Sequence, residues 1–265
     1  MNKNIAYSRV AGSQSEVPGF DIVGNFAVIS GYQDYVFGKD GFINVSLPHK
    51  IKYLRIFPYI KSISENYRFI DIGCSAGALG FQLACNNLYN VDFLDHDSEY
   101  IDLVNKVIEF GGLNRCKAFC SKVTSFDRSY DVGLAFAIIH WIYSYSEKIG
   151  SLRDSIALLK KIAPKVLFIE WVDVNDSSIK AASHITKNEG IITEPYNFEE
   201  FKKSLLENYR YLYKLGSTSE TRSMWCASED RVEPSKYLMI YSQLAIFLNR
   251  CANYIRRKLL WFSKE

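Results

Sequence analysis

The pattern of apolar and polar positions changes at about residue 68. From there to residue 171, short apolar runs alternate with segments in which apolar residues recur every three or four positions. A run that is apolar throughout is typical of a parallel strand covered on both faces, and the three-to-four spacing is typical of an amphipathic helix. The alternation therefore predicts a doubly wound α/β sheet. The predicted strands are Phe69–Ile72, Val91–Leu94, Lys117–Cys120, Tyr130–Ala137 and Val166–Trp171.

Two more strands are predicted after this region. A helix over Asn197–Asn208 is followed by strands near Tyr209–Gly216 and Ser223–Ala227. The link between the two strands is short, so they can pair antiparallel. Together the strands predict a mainly parallel, seven-stranded Rossmann-like sheet with one antiparallel strand.

The two ends of the chain have patterns of their own. Residues 1–45 are rich in Gly, Ser, Tyr and Phe without a clear period, and we interpret them as an irregular N-terminal arm that packs on the domain. A helix is predicted from about 48 to 63, at the start of the domain 46–230. In the segment 231–265, apolar residues recur at three- and four-residue steps, which predicts one long C-terminal amphipathic helix.

Composition and charge narrow the function classes. Hydrophobic residues make up 48% and aromatic residues 15% of the chain, which indicates a well-packed globule. The balance of 32 basic and 29 acidic residues leaves a net charge of +3. A nucleic-acid groove needs a stronger basic bias, so we expect no nucleic-acid partner. No apolar run is long enough to predict a transmembrane helix.

The cysteines and the polar first residues bear on compartment and metal binding. The start of the chain shows no apolar signal core, so we expect a cytoplasmic protein with reduced thiols. Of the six cysteines, Cys116 and Cys120 are close in sequence, but no second Cys/His pair stands at zinc spacing. We therefore predict no metal.

A glycine-containing loop follows the first predicted strand of the sheet. In open α/β sheets the ligand binds beyond the carboxyl ends of the strands, where small residues let the backbone approach it. Asp95 ends the second strand, 24 positions after Asp71, which is near the spacing of an acid that holds ribose hydroxyls. The spacing Gly73-x-x-x-Gly77-x-x-Gly80 is not the dinucleotide pattern G-x-G-x-x-G, which weakens a nicotinamide or flavin interpretation. By itself, the loop is also explained by an ordinary tight turn.

Four segments resemble motifs of one enzyme family. Phe69–Gly77 (FIDIGCSAG) is similar to the first motif of class I S-adenosylmethionine-dependent methyltransferases, and Val91–Val104 is similar to their second. Tyr130–Trp141 resembles the fourth motif, and Thr221–Trp225 resembles a strand of the last hairpin. The resemblance covers about residues 67–228. It implies S-adenosylmethionine as cofactor and methyl transfer as activity.

The resemblance also implies a role for each matching residue. The loop residues Gly73, Cys74, Ser75 and Gly77 would contact the methionine part of the cofactor. Asp71, before the loop, would organise the loop or meet the amino group.

The remaining matches concern the nucleoside and the sulfonium. Asp95, beside His96, would bind the ribose. Ser121 or Lys122, after strand three, would border the adenine, and the end of strand four, Ala135 and Phe136, would line the sulfonium.

The candidates for chemistry follow strands four and five. His140 is placed to act as a base on a hydroxyl, or else it packs at a helix start. Glu170 could hold a sugar hydroxyl or orient His140, or else it forms a salt bridge at the rim. Trp141 and Trp171 could stack on a sugar ring, although core packing explains either one.

Other residues are assigned by position alone. Tyr32, Tyr35, Phe37 and Lys39 belong to the N-terminal arm, which either covers the cofactor as a lid or simply packs on the domain. We assign no function to His49 or His184, because histidines at such places are more often surface or loop residues.

The methyl acceptor is predicted from the loop after strand four and from two strand ends. The chain has no Asn/Asp-Pro-Pro-aromatic motif after strand four, which argues against amino-methylation of nucleic-acid bases. The strand ends His140-Trp141 and Glu170-Trp171 loosely resemble methyltransferases of bacterial surface-polysaccharide synthesis. We therefore predict O-methylation of a sugar or glycan. The alternatives are methylation of another small molecule, or a non-catalytic scaffold or regulatory partner with this fold.

The C-terminal helix leaves three interpretations open. Its apolar stripe could pack on its own domain, pair with a second copy in a homodimer, or lie on a membrane surface. The basic cluster Arg256-Arg257-Lys258 suits the third, a peripheral position at the inner membrane face.

Overall fold

The computed structural model describes residues 19–31, 33–38, 41–87, 89–145, 149–182 and 195–262. The described elements, in chain order, are β1 (Gly19–Val23), β2 (Phe26–Ser30), β3 (Tyr35–Gly38), β4 (Gly41–Val45), α1 (Leu47–Ile60), β5 (Arg68–Ile72), α2 (Ala78–Asn87), β6 (Asn90–Asp95), α3 (Ser98–Gly111), β7 (Ala118–Cys120), β8 (Val132–Ala135), α4 (Ile139–Tyr145), α5 (Leu152–Ile162), β9 (Val166–Val172), α6 (Ser177–Ala182), α7 (Phe198–Asn208), β10 (Tyr211–Ser219), β11 (Arg222–Ser228) and α8 (Lys236–Phe262).

The central sheet has seven strands in the order β10-β11-β9-β8-β5-β6-β7. Strands β5 to β9 pair in parallel, and β11 runs antiparallel to both of its neighbours. The prediction of a mainly parallel sheet with one antiparallel strand is confirmed. The chain leaves β5 toward β6 on one side and reaches β8 on the other, so a crevice forms at the carboxyl end of β5.

The helices cover both faces of this sheet, and each face has its own apolar core. Every residue of β9 is buried, as expected of a central strand with helices on both sides. This packing fixes the strand ends, and with them the loops that form the candidate site.

The N-terminal segment is more regular than we predicted. Its described residues form a four-stranded antiparallel sheet, β1-β2-β3-β4, so the interpretation of residues 19–45 as irregular chain is wrong. Tyr35 and Phe37 both point into the core, where each packs near the ring of Phe81 on α2, with centroids 6.2 and 5.8 Å apart. The strands have only four or five residues each, which is too short for their alternation to be recognised among the glycines.

Two element boundaries are set by local features of the chain. Asp97 is the N-cap of α3, because its side chain accepts a hydrogen bond from the backbone N–H of Glu99 at 2.9 Å. Strand β8 ends at Ala135 rather than at Ala137, whose φ of 54° turns the chain into α4. His140 therefore lies in the first turn of a helix.

The C-terminal helix is continuous from Lys236 to Phe262. One of its faces packs on α1, where Ile246 contacts a small apolar cluster with Ile51 and Leu54. Within the described residues, none of the helices combines the length and apolarity needed to cross a membrane.

Candidate functional site

A cavity of about 680 Å³ opens at the carboxyl ends of the parallel strands. Its wall is formed by the loop after β5, the ends of β6, β7 and β8, the start of α4, and residues of α1 and β11. A cavity of this size can enclose a small molecule or cofactor. The cofactor candidates that line it are Asp71, Gly73, Cys74, Ser75, Asp95, His96, Ser121, Lys122 and Phe136.

The loop after β5 is shaped by left-handed backbone at Gly73, Ser75 and Gly77, with φ of 67°, 49° and 76°. The left-handed backbone at Gly73 favours glycine, and a Cβ there would also have to displace the end of the Ile138 side chain. Ser75 holds the same kind of conformation with a side chain, which costs energy and is typical of binding loops. Its buried Oγ has no hydrogen-bond partner among the described residues.

Asp95 joins the end of β6 to this loop. Its Oδ2 accepts from the backbone N–H of Ser75 at 2.8 Å, and its Oδ1 accepts from that of Asp97 at 3.1 Å. A carboxylate oxygen has two lone pairs, so each oxygen can still accept from a ligand hydroxyl in the cavity. The neighbouring His96 is exposed, with Nδ1 at 3.2 Å from Oδ1 of Asp95.

Asp71 lies deeper in the same wall. Its Oδ2 accepts from the backbone N–H of Gly80 at 3.0 Å. Burial raises the pKa of Asp71 to about 7; the charge of Asp95 also raises it, while the Gly80 bond and the charge of Lys52 act in the opposite direction. A cationic group bound in the cavity would favour the charged form of this carboxylate.

Two predicted cofactor residues lie outside the cavity wall. Ala135 is fully buried within β8. Gly77 shapes the turn into α2, where an added Cβ would meet the rings of Phe81 and Phe93. Their roles are in shaping the site, because neither is placed to touch a ligand there.

The wall opposite the loop contains the candidates for chemistry. His140 is 2% exposed and lines the cavity, and Trp141 beside it is 41% exposed, with the two ring centroids 5.5 Å apart. The carbonyl of His140 accepts from Oγ of Ser144 at 2.7 Å, which anchors the first turn of α4.

Glu170 is not placed at the cavity. It is fully buried, and its Oε2 accepts from Nζ of Lys52 at 2.8 Å while its Oε1 accepts from Oγ1 of Thr218 at 2.8 Å. The carboxylate therefore fixes Lys52, which does line the cavity, instead of contacting an acceptor itself. Trp171 is likewise buried and stacks on Tyr196 with centroids 4.4 Å apart, so its role is core packing.

Three residues of this wall were not predicted from the sequence as site residues. His49 and Lys52 of α1 and Arg222 of β11 line the cavity, although no motif marks His49 or Lys52. Burial, and then the charge of Lys52, lowers the pKa of His49 to about 3, so its imidazole is neutral at physiological pH. Arg222 is held by Asp176 through two hydrogen bonds of 2.8 and 2.9 Å. His184 lies outside the described residues.

The N-terminal sheet touches the loop directly. The hydroxyl of Tyr35 donates to the carbonyl of Ala76 at 2.6 Å, and Oε1 of Gln33 accepts from the backbone N–H of Ala78 at 2.9 Å. Gln33 also lines the cavity. The segment thus closes one side of the site, whereas Tyr32 and Lys39, which we also assigned to a lid, lie outside the described residues.

Comparisons with known proteins add a fold-level result. No protein-family model and no curated protein matches the sequence. Among solved structures, the bifunctional kinase-methyltransferase WbdD is 14% identical with a TM-score of 0.52, over 70% of this chain and 40% of that one. Monomeric WbdD is 13% identical with a TM-score of 0.54, over 72% and 43%. The chain therefore spans about two fifths of the length of WbdD.

A second protein of known structure is similar to this chain over nearly the whole length of that protein. Magnesium protoporphyrin IX methyltransferase (ChlM) of Synechocystis PCC 6803, with bound SAH, is 12% identical with a TM-score of 0.51, over 72% of this chain and 91% of that one. At such identities the likeness concerns the fold. The seven-strand order and the two neighbours together show that this chain has the Rossmann-like fold of S-adenosylmethionine-dependent methyltransferases.

Proposed function

We propose that this chain binds S-adenosylmethionine in the cavity and transfers the methyl group to an oxygen of a sugar or glycan, as a step of bacterial polysaccharide synthesis. The observation that carries the cofactor is Asp95, whose two oxygens are oriented by backbone N–H groups at the cavity wall. ChlM, which shares the fold, was crystallised with SAH.

The residues present fit this cofactor. Asp71 and the buried Oγ of Ser75 offer a carboxylate and an unsatisfied hydroxyl to the charged amino-acid part. Asp95 would hold the ribose hydroxyls, and Ser121 and Lys122 would border the adenine. A ligand that supplies these hydrogen bonds removes the penalty of the buried, unpaired hydroxyl.

The opposite wall is suited to an oxygen acceptor. When bound, the cofactor supplies a methyl group that is already strongly electrophilic, so the chain's task is to align the acceptor and handle its proton. His140 is assigned as the base, because His49, with a pKa of about 3, cannot hold a proton near neutral pH. Lys52, fixed by Glu170, can donate to an acceptor oxygen, and the half-exposed Trp141 offers a face to a sugar ring.

Titration calorimetry of the full chain tests the cofactor. We expect S-adenosylmethionine to bind and NAD not to bind. Asp95→Ala should weaken binding at least about tenfold, since each hydrogen bond to a charged group contributes about 1.5–3 kcal/mol. Asp102→Ala, an exposed acid on α3, is the matched control and should bind as the wild type does.

Binding of S-adenosylmethionine and NAD also distinguishes an enzyme from a non-catalytic scaffold. A chain that binds neither S-adenosylmethionine nor NAD would act as a scaffold, and the enzyme proposal would fail. If the cofactor binds, an assay of methyl transfer to sugar and lipid-linked glycan acceptors tests the proposed acceptor. Activity confined to RNA or protein would refute the glycan assignment while leaving the cofactor assignment intact.

A further inference from the structure

The C-terminal helix α8 has two faces of different environment. One face packs on α1, with Ser242 and Ile246 buried and Ala245 half-buried against that helix. Through this face α8 packs on the domain and covers Ile51 and Leu54 of α1. The packing accounts for only part of the apolar surface that the sequence predicts for this helix.

The opposite face of α8 exposes a continuous apolar stripe. Eight large apolar or aromatic side chains between Tyr237 and Ile255 are each more than half exposed, with Leu244 at 57%, Phe247 at 63% and Leu248 at 63%. They recur at three- and four-residue steps, so they share one side of the helix. Exposed apolar surface of this extent on a folded domain usually marks a site of interaction.

The charge of α8 indicates what covers the stripe. The helix contains five basic residues, Lys236, Arg250, Arg256, Arg257 and Lys258, and no acidic residue. An apolar stripe on a purely cationic helix is complementary to a surface of anionic lipid headgroups over acyl chains. Tyrosines such as Tyr237 and Tyr241, which are exposed in the same stripe, suit the boundary between headgroup and hydrocarbon.

The same charge argues against a second copy as the occupant. Two α8 helices joined through their stripes would combine ten basic residues, with no acidic residue in either helix to pair with them. We therefore propose that α8 lies on an anionic membrane surface, with the stripe from Tyr237 to Ile255 facing the lipid. The helix would rest on the membrane surface, because none of the helices in the described part of the chain combines the length and the apolarity needed to span it.

The docking helix is connected to the candidate site through one element. On α1, Ile51 and Leu54 pack in the cluster with α8, while His49 and Lys52 line the cavity. A membrane-bound α8 would therefore hold one wall of the cavity close to the lipid surface. Membrane binding itself does not depend on methyl transfer, so the two proposals can fail separately.

Vesicle co-sedimentation of the full chain tests this proposal. We expect binding to vesicles of phosphatidylglycerol and phosphatidylcholine, little binding to phosphatidylcholine alone, and weaker binding as salt is raised. The double variant Leu244→Gln/Leu248→Gln keeps the charge and removes apolar side chains that are already exposed, so folding is not at risk. It should lower the partition coefficient at least about tenfold, because two leucine side chains no longer move from water into the lipid.

Two controls make the outcome decisive. Gln243→Ser changes an exposed polar residue next to the stripe and should bind vesicles as the wild type does. Calorimetry with S-adenosylmethionine on each variant reports whether the domain and its cofactor site are unchanged. The proposal is overturned by equal binding to neutral and anionic vesicles, or by no binding. It is also overturned if sedimentation velocity without lipid shows a dimer that Leu244→Gln/Leu248→Gln dissociates, since the stripe would then be a homodimer interface.

Discussion

At the residue scale, burial lowers the pKa of His49 and raises the pKa of Asp71, and both groups lie in the cavity wall. Burial keeps His49 neutral, and it keeps Asp71 partly protonated near neutral pH. Both effects have the same origin, since each removes a charge that water would otherwise solvate. The neighbouring Asp95 has its orientation set by two backbone N–H groups. Two carboxylates 24 positions apart in sequence thus differ in role because their surroundings differ.

Asp71 makes stability depend on pH. Its pKa is about 7 in the folded chain against 3.8 for an ordinary aspartate, so the folded state binds this proton more tightly than the unfolded state. The free energy of unfolding should therefore fall as pH rises from about 4 to about 7, by up to about 4 kcal/mol from this group. Urea denaturation of the wild type and Asp71→Asn across that range checks this. An equal slope in both proteins would contradict it, since the variant has no carboxyl to titrate at this site.

His140 should matter for the chemical step and not for the cofactor. His140→Gln should lower kcat by about 10²–10⁴-fold, the usual effect of losing a general base, and change the Kd for S-adenosylmethionine by less than about twofold. His49→Gln is the matched comparison within the same wall and should retain the pH profile of the wild type. The assignment fails if His49→Gln removes the kinetic pKa and His140→Gln does not.

At the element scale, the N-terminal sheet is the part that sequence patterns describe least well. Its strands are short and separated by glycines, so neither the alternation of a strand nor the three-to-four-residue spacing of a helix is visible. The sheet nevertheless packs on α2 and contacts the loop after β5. The α/β elements were predictable because each spans a full apolar run or several helical turns. The predicted strand through Ala137 was too long, because the left-handed turn there leaves no signal in an apolar run.

Tyr35 links this sheet to the loop, and its loss should have two effects. Tyr35→Phe removes the hydroxyl that donates to the carbonyl of Ala76, which should cost about 1–3 kcal/mol of stability and weaken S-adenosylmethionine binding. Tyr196→Phe removes a similar buried bond, 2.9 Å long to the carbonyl of Val172, in the other core cluster. Denaturation and calorimetry on both variants should show similar stability losses, with reduced affinity only in Tyr35→Phe. Equal affinities would mean that the N-terminal sheet does not support the site.

At the scale of the whole molecule, α1 connects the features that carry the two proposals. It lies between α8 and the sheet, and its Lys52 reaches the buried Glu170 on β9. Removing one partner of such a buried pair typically costs about 3–5 kcal/mol, so this contact also holds the cavity wall in place. If α8 binds lipid as we propose, the cavity of the domain lies near the membrane, where a lipid-linked acceptor would be presented.

The sequence by itself determined the parallel sheet, its antiparallel strand, the loop from Gly73 and the place of Asp95. These features depend on residues that are close together in the sequence, so local periodicity and spacing within one strand or turn are enough to predict them. The tertiary structure alone decided that Glu170 is buried under Lys52, and that Gln33 and His49 line the cavity. Those positions depend on how the N-terminal sheet and α1 dock on the strands, and the energy of such packing comes from contacts between residues far apart in the chain.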